Sequence, residues 1–182
     1  MARDYSSNTF VKARVLKINV GFLLAEGPGF SRTTSVDIPQ RLRLDEELIL
    51  ERLHGDLRLT RTSEGILVQG ELEVTVPANC TRCLTNIDAS YTLDIEELFT
   101  LPNSGNSQFE IGDDNNLDLA PLIREESVVS VPYHLLCRED CQGLCPNCGQ
   151  NRNESACSCQ LDDIDPRWAA LADLQEALSG DE

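Results

Sequence analysis

The 182-residue chain contains nothing close to the run of about 18 apolar residues that a membrane-crossing helix needs, so a helical membrane protein is excluded. Its first ten residues, MARDYSSNTF, show no basic region followed by an apolar core. Without such a signal, a cytoplasmic chain with reduced thiols is expected. Histidine is scarce as well, with only His54 and His134 present. That leaves little material for a catalytic zinc of the kind that keeps an open position among His and carboxylate ligands. Sequence repeats of useful period are missing. Positive charge is short in the second half. Of the 15 Lys and Arg, 11 lie in the first ninety residues against 12 Asp and Glu, which leaves 4 to face 19 acids beyond them. A phosphate backbone has to be met by basic residues, so this acidic half does not grip nucleic acid by charge. It suits a basic protein partner, drawn in by electrostatic steering, with acidity for solubility alone as the competing reading.

Cysteine is what the chain does have. The eight fall into four close pairs: Cys80/Cys83, Cys137/Cys141, Cys145/Cys148 and Cys157/Cys159. Eight thiols in four pairs is the arithmetic of two Zn²⁺ ions, each bound by four cysteines. A tetrahedral ion takes sulfur at about 2.3 Å, and two cysteines a few residues apart reach it across one tight turn. Cys145-Pro146-Asn147-Cys148-Gly149 has the residues for that turn, because proline presets φ and glycine accepts a positive φ after the second ligand. Two such ions with eight thiolates would add further negative charge to a chain already at −16.

Keeping pairs intact, the partition we favour joins Cys80, Cys83, Cys137 and Cys141 in one site and Cys145, Cys148, Cys157 and Cys159 in the other. Loop length does not decide it. Closing the 53 residues between Cys83 and Cys137, rather than the eight between Cys148 and Cys157, costs only about 1.5–2 kcal/mol more. Structural zinc contributes roughly 10–16 kcal/mol. A ribbon joining Cys80/Cys83 to Cys145/Cys148 therefore stays open, as does iron in place of zinc.

The expected fold class is α+β: an antiparallel β-sheet or partly open barrel, followed by short helices and the cysteine-rich segment. Residues 10–24 alternate apolar and basic side chains and predict a strand. Gly27, Pro28 and Gly29 mark a loop, and Ser35–Pro39 a short strand. From 47 to 77, Leu48, Leu50, Leu57, Leu59, Leu67, Leu72, Val74 and Val76 alternate with polar neighbours, which predicts a meander with one wet face. His54-Gly55-Asp56 and Ser63-Glu64-Gly65 are read as its turns. A returning strand over 90–101 would put Cys80 and Cys83 at a hairpin tip. A β domain thus covers 1–101, and the polar stretch 102–117 is expected to be a flexible surface loop. The region 118–182 then carries a helix capped by Asp118, with Leu119, Leu122, Ile123 and Val129 on its apolar face, the cysteine segment, and a last helix from Asp165-Pro166 bearing Trp168, Leu171, Leu174 and Leu178 on one face.

In order along the chain stand Cys80-Thr81-Arg82-Cys83, Asp118-Leu119, Arg124-Glu125, Val131-Pro132, Cys137, CQGLCPNCGQN at 141–151, Cys157-Ser158-Cys159 and Asp165-Pro166-Arg167. This series resembles the YceD family, the large ribosomal RNA subunit accumulation proteins, over roughly residues 75–175. Two positions depart from the family's habit: Gln142 replaces a usual lysine and Arg152 a usual leucine. The resemblance implies a non-enzymatic ribosome biogenesis factor needed for accumulation or processing of 23S ribosomal RNA, with zinc as cofactor. Its partner is then expected to be a basic ribosomal protein or a large-subunit assembly intermediate. Ribosomal RNA would be met indirectly, or through Lys12, Arg14, Lys17, Arg41, Arg43, Arg58 and Arg61 of the first half, which otherwise read as the solvated faces of strands.

The competing readings are a thiol redox switch and a general zinc-containing interaction scaffold. Cys145-Pro146-Asn147-Cys148 has the form of a dithiol, yet its flanks lack the βαβ context of thioredoxin-like proteins. The pairs Glu96/Glu97, Glu125/Glu126 and Asp162/Asp163 have no nucleophile beside them and read as solvated charge.

Overall fold

Apolar residues at period two build the largest sheet of this protein. The computed structural model describes residues 10–46, 48–102, 108–159 and 171. In chain order the elements are β1 (Val11–Lys12), a 3-10 turn (Ala13–Leu16), β2 (Lys17–Asn19), α1 (Gly21–Leu24), β3 (Ser31–Ile38), β4 (Leu42–Arg43) and β5 (Ile49–Leu50). They continue with β6 (Arg52–Arg61), β7 (Gly65–Asn79), β8 (Asn86–Thr100), β9 (Asn116–Asp118) and α2 (Ala120–Ser130). β3, β6, β7 and β8 form an antiparallel sheet in that order. Two small sheets flank it, β1-β4-β5 with β1 parallel to β4, and β2-β9. The expected class holds in its coarse form, mostly sheet with few short helices, and the described strands form no closed barrel.

Along β6 and β7 the residues Leu53, Leu57, Leu59, Ile66, Val68, Leu72 and Val74 point inward and are fully buried. Leu93, Ile95 and Phe99 of β8 extend the same face. It is covered by Leu16, Val20 and Leu23, by Leu117 and Leu119 around β9, and by Leu122 and Ile123 of α2. At about 25 cal/mol per Å² of buried apolar area, this interior is the main favourable term in folding. No described helix is long and apolar enough to cross a membrane.

Three expectations meet a different structure. Residues 10–24 are not one strand. The side chains they bury are Leu16, Val20 and Leu23 rather than alternate ones, and the backbone breaks into β1, the 3-10 turn, β2 and α1. His54-Gly55-Asp56 is not a turn but lies inside β6. Gly55 and Gly70 hold φ of +151° and +153° on neighbouring strands. A Cβ on Gly55 would sit 2.2 Å from the Glu71 carbonyl oxygen, and one on Gly70 2.2 Å from that of Asp56. Glycine is there because the two backbones come together. Val129, assigned to the apolar face of α2, is 79% exposed, whereas Ser127 is buried and its carbonyl accepts a hydrogen bond from the Tyr91 hydroxyl at 3.1 Å.

Within the polar stretch 102–117, Phe109 and Ile111 are buried and Phe109 packs on Phe99 with ring centroids 5.4 Å apart. Thr100 donates its N–H to the Phe109 carbonyl and accepts one from Ile111, so residues 109–111 are tied to the end of β8. The last helix expected from Asp165 lies outside the described residues, apart from Leu171, which is exposed.

The chain divides into two compact units, one of residues 1–80 and 85–137, the other of residues 81–84 and 138–182. α2 therefore goes with the sheet. Gly70→Ala should cost about 2–3 kcal/mol of stability in urea unfolding. Gly27→Ala should leave the midpoint unchanged, because nothing lies within 4 Å of a Cβ there.

Candidate metal centres

β7 and β8 are paired from Gly65↔Thr100 to Asn79↔Asn86, and the ladder delivers Cys80 and Cys83 to the hairpin tip as expected. The Cys80 N–H donates to the Thr85 carbonyl at 2.8 Å and closes that turn. Cys83 is followed by Leu84 in the left-handed region, at φ +58°. Cys148 is followed by Gly149 at φ +72°. Both Cys-x-x-Cys turns thus end in the same backbone conformation, which glycine adopts freely and leucine at a cost of about 1–2 kcal/mol. Leu84 is also 63% exposed.

The eight sulfurs gather in two sets, Cys80, Cys83, Cys137 and Cys141 in one, Cys145, Cys148, Cys157 and Cys159 in the other, with all sulfurs of a set within 4.8 Å of one another. This is the partition favoured from spacing. None of the eight forms a disulfide. Four sulfurs at about 2.3 Å from a tetrahedral centre stand about 3.8 Å apart, so each set matches the size of a metal–thiolate shell. Cys80, Cys83, Cys141 and Cys145 are buried, Cys157 and Cys159 are partly covered, and Cys137 and Cys148 are exposed.

In the second set the chain turns tightly around the sulfur of Cys145. The Gly149 N–H bonds the Cys145 carbonyl and the Cys145 N–H bonds the Gln150 carbonyl, both at 2.8 Å. Backbone N–H groups of Cys148 and Asn147 point at the Cys145 sulfur and pull its pKa down to about 6. Hydrogen bonds with Cys148 and Cys145 push Cys159 the other way, up to about 12. Four crowded thiols cannot all ionise together in the absence of a cation, so one gives up its proton early and another keeps it. Donors aimed at sulfur favour thiolate, the form that binds metal.

Beside Cys141 lies a side chain that neither spacing nor motif announces, Asn153. The Asn153 amide accepts from the Gln142 N–H and from the Arg138 guanidinium, both at 2.8 Å. It donates to the Cys141 sulfur at 3.3 Å and to the Asn151 side chain at 2.9 Å. Arg82 donates to the Cys141 carbonyl at 3.1 Å, and the Leu144 N–H bonds the Arg82 carbonyl at the same distance. Asparagine at a fixed offset from a cysteine has no period or motif to reveal it.

The histidines join neither set. His54 points outward from β6 with Nε2 3.5 Å from Glu73, and His134 is exposed. Several basic residues of the first half are engaged within the fold. Lys17 pairs with Asp118 at 3.4 Å and Arg41 with Glu51 at 2.7 Å, Arg43 covers the Phe10 ring at 4.3 Å, and Arg61 donates to the Gly65 carbonyl at 2.9 Å. Arg58 reaches the Ser31 hydroxyl at 3.3 Å, and Lys12 and Arg14 are exposed. On the wet face of the sheet the register sets Asp56, Glu71 and Asp94 directly opposite one another across three strands, with Glu73 and Glu96 beside them. Like charges so placed oppose pairing.

Comparison with known proteins gives a consistent answer. The model of the family described as large ribosomal RNA subunit accumulation protein YceD matches residues 68–175, which span both cysteine sets. An uncharacterized protein of Mycobacterium tuberculosis is 33% identical over 83% of this chain and 77% of its own length. One of Mycobacterium leprae is 29% identical over 83% and 74%, and the uncharacterized protein YlbN of Bacillus subtilis 24% identical over 66% and 70%. No solved structure matches the chain.

Metal analysis of the reduced, purified chain should return about two zinc ions, and Cys157→Ser with Cys159→Ser should leave one. Retention of both, or loss of both, would overturn the grouping. Leu84→Gly should raise the unfolding free energy by roughly 1 kcal/mol by relieving the left-handed leucine.

Proposed function

This chain belongs to the YceD family, the large ribosomal RNA subunit accumulation proteins, and we propose that it is a cytoplasmic, non-enzymatic factor for accumulation or processing of 23S ribosomal RNA. The family match carries this reading. In the mechanism we propose, two Zn²⁺ ions held by the two cysteine sets stabilise the fold, and acidic surface receives a basic ribosomal protein or a large-subunit assembly intermediate. Zinc fits the donor sets because four thiolates within reach of one ion fill its shell and leave no position for water. A closed shell is structural, and this supports a binding role over catalysis.

Acidity supports a protein partner over bare RNA. Asp56, Glu71 and Asp94 repel one another across the sheet, and a basic segment laid over them would relieve the repulsion as it binds. Direct contact with RNA through the first half has less in its favour, since Lys17, Arg41, Arg43 and Arg61 are engaged with neighbours in the same chain.

Tagged protein should capture precursors of the large ribosomal subunit at low salt and lose them as salt rises. Cells depleted of it should show a lowered ratio of 23S to 16S RNA. Glu71→Lys with Asp94→Lys should abolish capture while leaving the metal content intact and the stability equal or slightly raised. A chain that captures no ribosomal component, or one whose capture ignores both salt and these substitutions, would sink the reading.

A further inference from the structure

Asn153 sits in the loop between Cys148 and Cys157, which belong to the second cysteine set, yet its amide is spent on the neighbourhood of Cys141, which belongs to the first. Its orientation is not free. The Gln142 backbone N–H and the Arg138 guanidinium are donors only, so both require the side-chain oxygen. The nitrogen must then face the Cys141 sulfur and the Asn151 oxygen. An N–H aimed at sulfur needs an acceptor there, and thiolate accepts far better than thiol. All four hydrogen-bonding positions of the amide are used.

The backbone around it runs the same way. The Asn153 N–H bonds the Asn151 side chain at 3.1 Å, the Arg152 N–H bonds the Gly143 carbonyl at 3.0 Å, and Leu144 bridges to Asn151. The loop of the second set is therefore fastened, residue by residue, to the segment that carries Cys141. Holding Asn153 there requires that loop to be closed, and a metal in the second set closes it.

We propose that Asn153 couples the two cysteine sets: metal in the Cys145–Cys148–Cys157–Cys159 set orders the loop that holds Asn153 against Cys141, and so raises the affinity of the Cys80–Cys83–Cys137–Cys141 set. This rests on the metal reading of both sets. Hydrogen-bond partners of metal ligands typically contribute ten- to hundred-fold to affinity, which sets the size of the effect. Asn153 is a positioning residue, since it acts through Cys141 and touches no metal.

Cobalt titration of the full-length chain, stripped of metal under reducing conditions, tests this through the visible absorption of tetrahedral cobalt–thiolate centres. Chains with Cys80→Ser and Cys83→Ser, or with Cys157→Ser and Cys159→Ser, identify which set gives which step. Asn153→Ala should weaken the first set roughly ten- to hundred-fold and leave the second unchanged. The unchanged set serves as the internal control for folding. Asn153→Asp, which places a carboxylate against the thiolate, should weaken the first set further. In the chain with Cys157→Ser and Cys159→Ser the first set should already be weak, and Asn153→Ala should add little. Wild-type affinity for both sets in Asn153→Ala would overturn the coupling alone. So would an equal loss from Asn153→Ala with and without the second set. An unsubstituted chain that binds no cobalt would overturn the metal reading and the coupling with it.

Discussion

Four sulfurs confined to a space a few ångströms across form the constraint on which the rest of this structure turns. Two thiolates about 4 Å apart repel by about 4 kcal/mol at an effective dielectric of 20, and each set contains six such pairs. The arrangement persists only if protons or a cation neutralise it. Opposite shifts at Cys145 and Cys159 show the proton solution, an uneven sharing among neighbours. A divalent metal removes the conflict and holds all four at once. Local features then make sense as supports for this crowding: N–H groups of Asn147 and Cys148 at one sulfur, the Asn153 amide at another, and a left-handed residue closing each Cys-x-x-Cys turn.

Much of this was legible in the sequence, and what was not has physical causes. Cysteine spacing announces four pairs, while loop length left their division open between the observed grouping and a ribbon joining Cys80/Cys83 to Cys145/Cys148. The meander was legible because Leu57, Leu59, Leu72, Val74 and Val76 alternate and are buried. Residues 10–24 misled because Lys12, Arg14 and Lys17 imitate a strand's wet face, while the packing uses Leu16, Val20 and Leu23. Gly55 misled because a glycine between His and Asp resembles turn chemistry, and only the approach of β7 explains it. Phe109 and Ile111 stand alone in polar sequence, with too few neighbours to show a period. Asn153 could not be read at all, since its role exists only once two loops meet.

The two halves of the chain reach stability by different routes. The described residues of the unit that holds the sheet bury a continuous apolar interior between that sheet and the segments that cover it. In the cysteine-rich stretch, Gln150, Asn151, Asn153 and Ser155 exchange side-chain hydrogen bonds, and most residues from 146 to 158 are exposed. Such a stretch lacks the apolar area to offset its conformational entropy. In the reading proposed above, metal ligation supplies what the small interior does not.

β8 is fifteen residues long and stands last among the described strands of its sheet, so its side away from β7, short of the Thr100–Glu110 bridge, is an edge onto which a second strand can add. Edges of this length invite association between copies unless something blunts them. Asp88, Asp94 and Glu96 alternate along its wet face, and a second β8 laid antiparallel would bring the same carboxylates against them. The register matters as well, because a slip by one residue would carry those acids into the apolar interior. Residues that destabilise the native sheet a little thus destabilise its misassembled forms far more, and the row of carboxylates protects against fibres and dimers of the wrong kind.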